Sequence, residues 1–243
     1  GGGRADELKD SSIIAVPTNA GTGSEMSLGA VIWDRANGRK WGVRSNHGFP
    51  DYAVIDPELT LSLPRDQTIS TGLDALSHAL ESIWQTKRNF ITQPIAEQAA
   101  GDVIRYLPRL VNNLGDLELR KKMSAAAMAA GIALSQTRTS IAHQLSYDLS
   151  LKHGVSHGIA CGFSLPMVMS WSIGYDTRCD ESLKVIFGSD LEAGVKNFES
   201  FFDELGISRD PTTYGPTTDE WGKMVIDAAT GFKGQNFLGE PIP

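Results

Sequence analysis

The sequence changes character at Pro64, and this change limits the possible folds more than any other feature. Before Pro64, segments rich in β-branched and aromatic residues predict strands over residues 12–18, 29–33, 40–43 and 52–55. After it, the spacing of apolar residues predicts helices over residues 66–84, 94–110, 117–134, 140–151, 158–173, 194–205 and 218–229. The predicted helix caps include Asp66, Ser140 and Thr218. We therefore predict a small α/β portion over residues 1–63 and an all-helical domain over residues 64–243.

Composition argues against several classes of protein. With 243 residues and 41% apolar content, the chain can bury a substantial core. Its net charge of −7 argues against a surface for nucleic acid or anionic membranes, and we expect residues 120–122 (Arg-Lys-Lys) to be a solvated patch. No apolar run is long enough to span a membrane, and the first ten residues lack the apolar core of a signal peptide. Cys161 and Cys179 make no disulfide framework, which is typical of a cytoplasmic protein.

One aspartate and three histidines are candidate metal ligands: Asp74, His78, His143 and His157. Asp74 and His78 are an i, i+4 pair on a predicted helix, so they share one face. His143 falls in another predicted helix, and His157 follows a turn at the start of the next. Each histidine alone would more often be an ordinary core or surface residue, and the Asp74–His78 pair alone could be a hydrogen bond within a helix. Together, in apolar surroundings where a lone ring is costly to bury, they predict one metal ion between helices.

Four sequence blocks occur in an order that resembles one enzyme family. They are residues 17–25 (Pro-Thr-Asn-Ala-Gly-Thr-Gly-Ser-Glu), 54–60 (Val-Ile-Asp-Pro-Glu-Leu-Thr), 72–81 (Gly-Leu-Asp-Ala-Leu-Ser-His-Ala-Leu-Glu) and 143–158, which ends in His-Gly. The blocks resemble the signature of the iron-containing (group III) alcohol dehydrogenases. This resemblance implies a dehydroquinate synthase-like fold, with a nucleotide-binding α/β domain before an all-helical metal-binding domain. It also implies an enzyme that interconverts an alcohol and an aldehyde with NAD or NADP, and we expect a homodimer.

The resemblance assigns roles to individual residues. Fe²⁺, with Zn²⁺ as a frequent substitute, would be held by Asp74, His78, His143 and His157. The dinucleotide would contact Gly1, Gly2, Gly3, Thr18, Asn19, Thr22, Val31 and Lys40. Without the resemblance, residues 21–24 (Gly-Thr-Gly-Ser) would be read as a tight turn, because Met26 stands where a Rossmann fingerprint has its third glycine.

The start of the chain departs from the family. The upstream strands, and the helix that follows the glycines in the family, are missing before residue 12. If the chain is intact as written, we expect severely impaired dinucleotide binding. The alternative is a truncated product, or a sequence that joins segments across residues missing between Gly3 and Arg4.

The expected chemistry follows from the charge of the ligand set. A divalent ion held by one carboxylate and three neutral imidazoles keeps about one positive charge and can polarise an aldehyde oxygen for hydride attack. Tyr147 stands where the family commonly has a further histidine, and it lies on the same helix face as His143. Its hydroxyl either relays a proton or holds the substrate, or the side chain has only a packing role. Arg138 and Lys152 either place positive charge at the pocket mouth or stay solvated. Residues 74–84 and 138–147 look similar to the phosphonoacetaldehyde reductase branch, which implies a small anionic aldehyde as substrate.

Two alternatives stay open at this point. A lyase related to dehydroquinate synthase would share the architecture and a metal, although four ligands of this type fit the dehydrogenases better. If the nucleotide domain is truly absent, the chain is instead a non-catalytic, metal-stabilised helical module that binds partners. Metal analysis with dinucleotide titration separates the module from the enzymes, and an aldehyde assay separates the two enzymes.

Overall fold

The described residues of the N-terminal part form four short strands. The computed structural model describes residues 12–34, 37–45 and 47–241. The strands are β1 (Ile14–Ala15), β2 (Gly29–Asp34), β3 (Arg39–Arg44) and β4 (Tyr52–Ala53). β1 pairs with β4 in parallel, and β2 pairs with β3 as an antiparallel hairpin in which Val31 is opposite Gly42. Two small sheets therefore precede the helical part of the chain.

Nine helices follow within the described ranges. They are α1 (Arg65–Ile83), α2 (Thr92–Asn112), α3 (Leu117–Thr137), α4 (Ile141–Lys152), α5 (His157–Gly162), α6 (Leu165–Ser172), α7 (Thr177–Phe187), α8 (Leu191–Leu205) and α9 (Thr218–Thr230). α1 packs against α2, α3 and α5, and nearly all of its residues after Gln67 are buried. The buried apolar side chains of the described residues all lie at or after Ile69. The hydrophobic core therefore belongs to the helices, with α1 at its centre.

The predicted order of strands followed by helices is confirmed. The change falls between β4 and α1, next to Pro64. The strands predicted over residues 12–18 and 52–55 are too long, because β1 and β4 pair only with each other over two residues each. The division into domains at residues 63 and 64, and the dehydroquinate synthase-like description, stay predictions.

The helix predictions need two corrections. The single helix predicted over residues 158–173 is wrong, because α5 ends at Gly162 and α6 begins at Leu165. Pro166 lies in the first turn of α6, where its missing N–H costs nothing, whereas inside a continuous helix it would break the hydrogen-bond ladder. α7 was not predicted at all, although Asp176 caps it by accepting from two backbone N–H groups.

None of the three predicted caps accepts a hydrogen bond from its helix as an N-cap does. Asp66 lies inside the first turn of α1, whose N-cap is Pro64. Ser140 occupies the N-cap position of α4, but its hydroxyl donates to Glu81 Oε1 at 3.2 Å instead of accepting from the helix. α9 is capped by Thr217, one residue before the predicted Thr218, in a capping box with Glu220.

The solvated patch predicted at residues 120–122 is wrong for Arg120, which is 2% exposed. Its guanidinium donates to Leu114 O at 3.0 Å, Thr68 Oγ1 at 3.0 Å and Leu63 O at 3.2 Å. These acceptors satisfy the buried charge and join α3 to the start of α1. The two lysines that follow Arg120 are exposed, as predicted.

Cys161 and Cys179 are both buried free thiols, so the prediction that they form no disulfide framework is confirmed. Within the described ranges, no helix is long and apolar enough to cross a membrane.

Candidate metal centre

The first half of the candidate site comes from α1. Asp74 and His78 are one turn apart, and His78 Nε2 lies 3.4 Å from Asp74 Oδ1. The two residues are 4% and 5% exposed. Small residues allow the neighbouring helices to approach this closely, since a Cβ on Gly72 would lie 2.7 Å from Leu107 Cδ1 of α2. A carboxylate and an imidazole therefore lie together inside a helical core.

The other two histidines reach the same carboxylate oxygen from α4 and α5. His143 Nε2 lies 3.7 Å and His157 Nε2 lies 3.8 Å from Asp74 Oδ1. His157 is the first residue of α5, and its ring centroid lies 5.3 Å from that of His143. The His143 ring also stacks on His78, with 5.0 Å between centroids. The structure thus brings all four predicted ligands to one point, from two positions on one helix, one on another and one at a helix start.

These four residues fit a divalent metal ion. Asp74 Oδ1 is buried and accepts no hydrogen bond within the described part of the chain. Burial lowers the pKa of His78, and burial together with the neighbouring histidines lowers the pKa of His157 to about 4, despite the charge of Asp74. Both rings are therefore neutral near pH 7 and offer a lone pair to a cation. One carboxylate and neutral imidazoles suit both Fe²⁺ and Zn²⁺.

Cys161 is a neighbour that the sequence analysis did not consider. Its Sγ lies 3.7 Å from both ring nitrogens of His157, one turn earlier on α5. A donor atom from each of Asp74, His143, His157 and Cys161 lies within 4.8 Å of the others. Burial raises the pKa of the thiol well above its usual value, and a protonated thiol is a poor ligand. We therefore keep His78, whose Nε2 is nearest to Asp74, as the fourth candidate ligand.

Glu81 holds His143 in position. Its side chain is fully buried on α1, and Oε2 accepts from His143 Nδ1 at 2.7 Å. Oε1 accepts from the backbone N–H of His143 at 3.1 Å. Burial alone would raise the pKa of Glu81, but the adjacent ring of His143 and the hydrogen bonds that His143 donates lower it to about 2. Because Nδ1 donates to this carboxylate, the lone pair of His143 lies on Nε2, which faces Asp74.

We expect the substitution Glu81→Gln to weaken metal binding about 10- to 100-fold, because the NH2 end of the amide cannot accept and one of the two hydrogen bonds from His143 is lost. Competition with a metal chelator measures the change in affinity. Glu97→Gln in α2, whose Oε1 accepts only from Ser182, is the matched control and should bind metal like the wild type. Equal metal affinities for the Glu81 variant and the wild type would contradict this role.

A cavity of about 660 Å³ opens beside the four candidate ligands. Of the residues predicted to contact the dinucleotide, its lining includes Thr22, Val31 and Lys40. Thr18 and Asn19 lie outside the lining, and Gly1, Gly2 and Gly3 fall outside the described residues. The structure therefore places part of the predicted dinucleotide site next to the metal ligands.

Tyr147 lines the same cavity, one turn after His143 on α4. Two ammonium groups face its ring, with Lys40 Nζ 3.3 Å and Lys233 Nζ 4.6 Å from the ring centroid. Burial, with repulsion from Lys233, lowers the pKa of Lys40 to about 7. Burial also raises the pKa of Tyr147 well above its usual value, so its hydroxyl stays protonated. Lys233 was missed by the sequence analysis, because it follows α9 in a segment without a motif.

Only one of the two basic residues expected near the pocket lines it. Arg138 belongs to the cavity wall. Lys152 lies outside the lining, is exposed, and pairs with Asp148 Oδ2 at 2.8 Å. Lys152 is therefore a solvated surface residue. The second basic residue that the helical part contributes to the cavity lining is Lys233.

Two family models match the chain. The one described as Fe-containing alcohol dehydrogenase family, C-terminal, matches residues 68–241, which include all four candidate ligands. The one described as iron-containing alcohol dehydrogenase matches residues 1–57. Between them, the two models match the strands and the helices in this order.

Curated relatives match the chain over part of their length. The 1-propanol dehydrogenase PduQ of Citrobacter freundii is 42% identical over 144 residues, which cover 58% of this chain and 39% of that protein. The NAD-dependent methanol dehydrogenase of Bacillus methanolicus is 35% identical over 161 residues, which cover 66% of this chain and 42% of that protein. The chain therefore spans less than half the length of these relatives.

A solved structure shares the fold. The sulfoacetaldehyde reductase from Bifidobacterium kashiwanohense, in complex with NAD⁺, superposes with a TM-score of 0.84 at 32% sequence identity. The superposition covers 95% of this chain and 61% of that one. A solved enzyme structure thus has a similar arrangement of strands and helices.

Proposed function

The chain belongs to the iron-containing alcohol dehydrogenase family, and on this premise we propose that it acts in the metal-dependent, NAD(P)-linked interconversion of an alcohol and an aldehyde. The observation that carries the proposal is the convergence of three histidine Nε2 atoms on a buried Asp74 oxygen that accepts no hydrogen bond. Burying such groups unpaired is costly, and a helical core does not need them. A bound cation removes that cost.

The proposed metal is Fe²⁺, with Zn²⁺ as an ion that the same ligands accept. Its ligands are Asp74, His78, His143 and His157. When bound there, the ion supplies a Lewis acid that polarises the aldehyde oxygen. Asp74 contributes the negative charge of the site, and Glu81 fixes the ring of His143. The ring of Trp33 lies 5.8 Å from that of His157 and lines the same cavity.

The proposed hydride donor is NAD or NADP. Of its predicted contacts, those at the cavity are Thr22, Val31 and Lys40, and the others are Gly1, Gly2, Gly3, Thr18 and Asn19. Lys40 lies against the aromatic wall formed by Trp33 and Tyr147, where its amino group can reach the ribose or nicotinamide side of the dinucleotide. The NAD⁺ complex of the sulfoacetaldehyde reductase supports this choice of cofactor.

We propose that Tyr147 holds the substrate. Its hydroxyl stays protonated near pH 7, since burial raises its pKa well above the usual value. A protonated hydroxyl donates a hydrogen bond and is a poor proton acceptor. Of the two functions predicted for this hydroxyl, binding substrate is therefore better supported than relaying a proton.

The proposed substrate is a small anionic aldehyde such as phosphonoacetaldehyde. Support comes from the name of the sulfoacetaldehyde reductase, whose substrate is also an anionic two-carbon aldehyde, and from the basic side chains of the cavity. A cytoplasmic location stays part of the proposal, because free buried thiols are typical of a reducing compartment. The proposed oligomeric state is a homodimer. The three relatives named above are dehydrogenases or reductases, so the lyase and the non-catalytic module gain no support from them.

A cofactor oxidation assay tests the proposed function. Protein loaded with Fe²⁺ or Zn²⁺ should oxidise NADH or NADPH when phosphonoacetaldehyde or a short neutral aldehyde is added. A chelator should abolish the reaction, and adding back the metal should restore it. Bound metal and bound dinucleotide without turnover of any aldehyde would sink the dehydrogenase proposal, and bound metal without dinucleotide affinity would favour the module.

A further inference from the structure

The cavity beside the metal ligands has a positive lining, although the chain as a whole carries a net charge of −7. Its charged lining residues are Lys40, Arg44, Asp74, Arg138 and Lys233. The one acidic residue among them is a candidate metal ligand. Across the described ranges, no carboxylate lies within ion-pair distance of the four basic groups. The cavity therefore favours a negatively charged occupant.

Of the two basic cavity-lining residues in the helical part, Lys233 and Arg138, Lys233 has less access to water. Its ammonium donates to Thr139 Oγ1 and faces the ring of Tyr147 at 4.6 Å. Burial lowers the pKa of this lysine, although the carboxylate of Glu81 partly opposes the effect. A half-buried charge without an ionic partner is costly, and a ligand anion would offset that cost.

Arg138 precedes Thr139, the acceptor of this ammonium, and has a strained backbone conformation. Its φ of 98° is the one positive value among non-glycine residues in the described chain. Such a conformation is unfavourable for a residue with a side chain and persists only when neighbouring groups enforce it. Here the backbone N–H of Arg138 donates to Leu134 O at 2.9 Å, and its carbonyl accepts from Gln85 Nε2 at 2.8 Å. These bonds keep Arg138 and the adjacent Thr139 at the cavity wall next to Lys233.

We propose that Arg138, Thr139 and Lys233 form a subsite for the acid group of the substrate, a phosphonate, sulfonate or carboxylate. A guanidinium, a hydroxyl and an ammonium are together a suitable donor set for such an oxyanion. The subsite rests on the proposed function, because it selects among aldehydes that the metal centre would reduce. It adds Thr139 and Lys233, which the sequence did not indicate, and leaves out Lys152.

The position of the subsite limits the length of the substrate. Lys233 contacts the ring of Tyr147, which is one helical turn, a rise of about 6 Å, beyond His143 on α4. The carbonyl oxygen at the metal ligands and the acid group at Lys233 are therefore separated by a short spacer. Aldehydes with two or three carbons between these ends fit this distance better than longer ones.

A phosphate of the dinucleotide is a second source of the same anion chemistry. The geometry favours the substrate, because Arg138, Thr139 and Lys233 belong to the helical part that carries the metal ligands. Lys40 and Arg44 belong to β3, on the side to which the dinucleotide contacts are assigned. Comparing a phosphonate ligand with NADPH separates the two sources.

The test measures binding of 2-hydroxyethylphosphonate to the metal-loaded protein by calorimetry. Lys233→Gln and Arg138→Gln are each expected to weaken this binding on the order of 10- to 100-fold. Lys233→Arg should restore much of the affinity, since it keeps the charge. Lys152→Gln is the matched control, because it removes an exposed lysine outside the cavity and should leave affinity unchanged. Metal content checks that each variant is folded and loaded.

The same variants are compared in the cofactor oxidation assay. The ratio of kcat/KM for phosphonoacetaldehyde to that for propanal should fall by the same factor of 10 to 100 in Lys233→Gln. Unchanged phosphonate binding in both glutamine variants would overturn the subsite, as would an equal loss of NADPH binding, which would assign the cations to the dinucleotide. Phosphonate binding that depends on Lys233, in a protein that reduces no aldehyde, would instead uphold the subsite and defeat the proposed function.

Discussion

The substitution Asp74→Asn is expected to abolish metal binding and, with it, the proposed aldehyde reduction. Asparagine keeps the size of the side chain but removes the negative charge that three histidine nitrogens face at 3.4 to 3.8 Å. Residues that merely orient a metal ligand contribute about 10- to 100-fold to metal affinity, so loss of the one charged ligand should exceed about 100-fold. Metal content after dialysis and competition with a chelator measure this loss.

The matched control for Asp74→Asn is Asp148→Asn. Asp148 is a partly exposed carboxylate on α4 that pairs with Lys152, so its loss should change metal affinity by less than about twofold. Circular dichroism of the metal-free proteins checks that both variants fold. If the Asp74 variant kept its metal as tightly as the wild type does, the cluster of Asp74 and the three histidines would not be the metal site.

Helix periodicity predicted the long helices because each has a wide buried face. α8 illustrates this, since Phe198, Phe202 and Leu205 repeat on one face and are buried. α7 escaped prediction because its buried face is narrow and contains a serine, Ser182, beside Cys179 and Leu183. In the structure, α7 packs against α2 and α8.

The candidate ligands could be predicted because their spacing is local and their sequence blocks resemble a family. The role of Glu81 could not be predicted, although it lies in the same block as Asp74 and His78. Its contact with His143 crosses 62 residues of sequence and depends on how α1 and α4 pack. Lys233 is harder still to predict, since it reaches Thr139 across 94 residues from a segment without a periodic pattern.

The substitution Gly158→Ala is expected to destabilise the fold and to disturb the metal site together. Gly158 follows His157 on α5, and a Cβ at this position would lie 1.7 Å from the backbone oxygen of Ser70. A helix backbone cannot yield as a flexible side chain can, so α5 must move away from α1. Overpacking costs about 1–3 kcal/mol, and this contact belongs at the upper end or above it. The movement would also carry His157 away from Asp74.

Gly101→Ala separates this clash from the general effect of adding a methyl group to a helix. Gly101 lies inside α2, and a Cβ there would meet nothing within 4 Å. Alanine is the better helix former by about 0.5–1 kcal/mol, so this control should raise the free energy of unfolding by up to that amount. Urea unfolding and chelator competition on both variants are the measurements. If Gly158→Ala were as stable as Gly101→Ala and bound metal normally, the close approach of α5 to α1 would not be what positions His157.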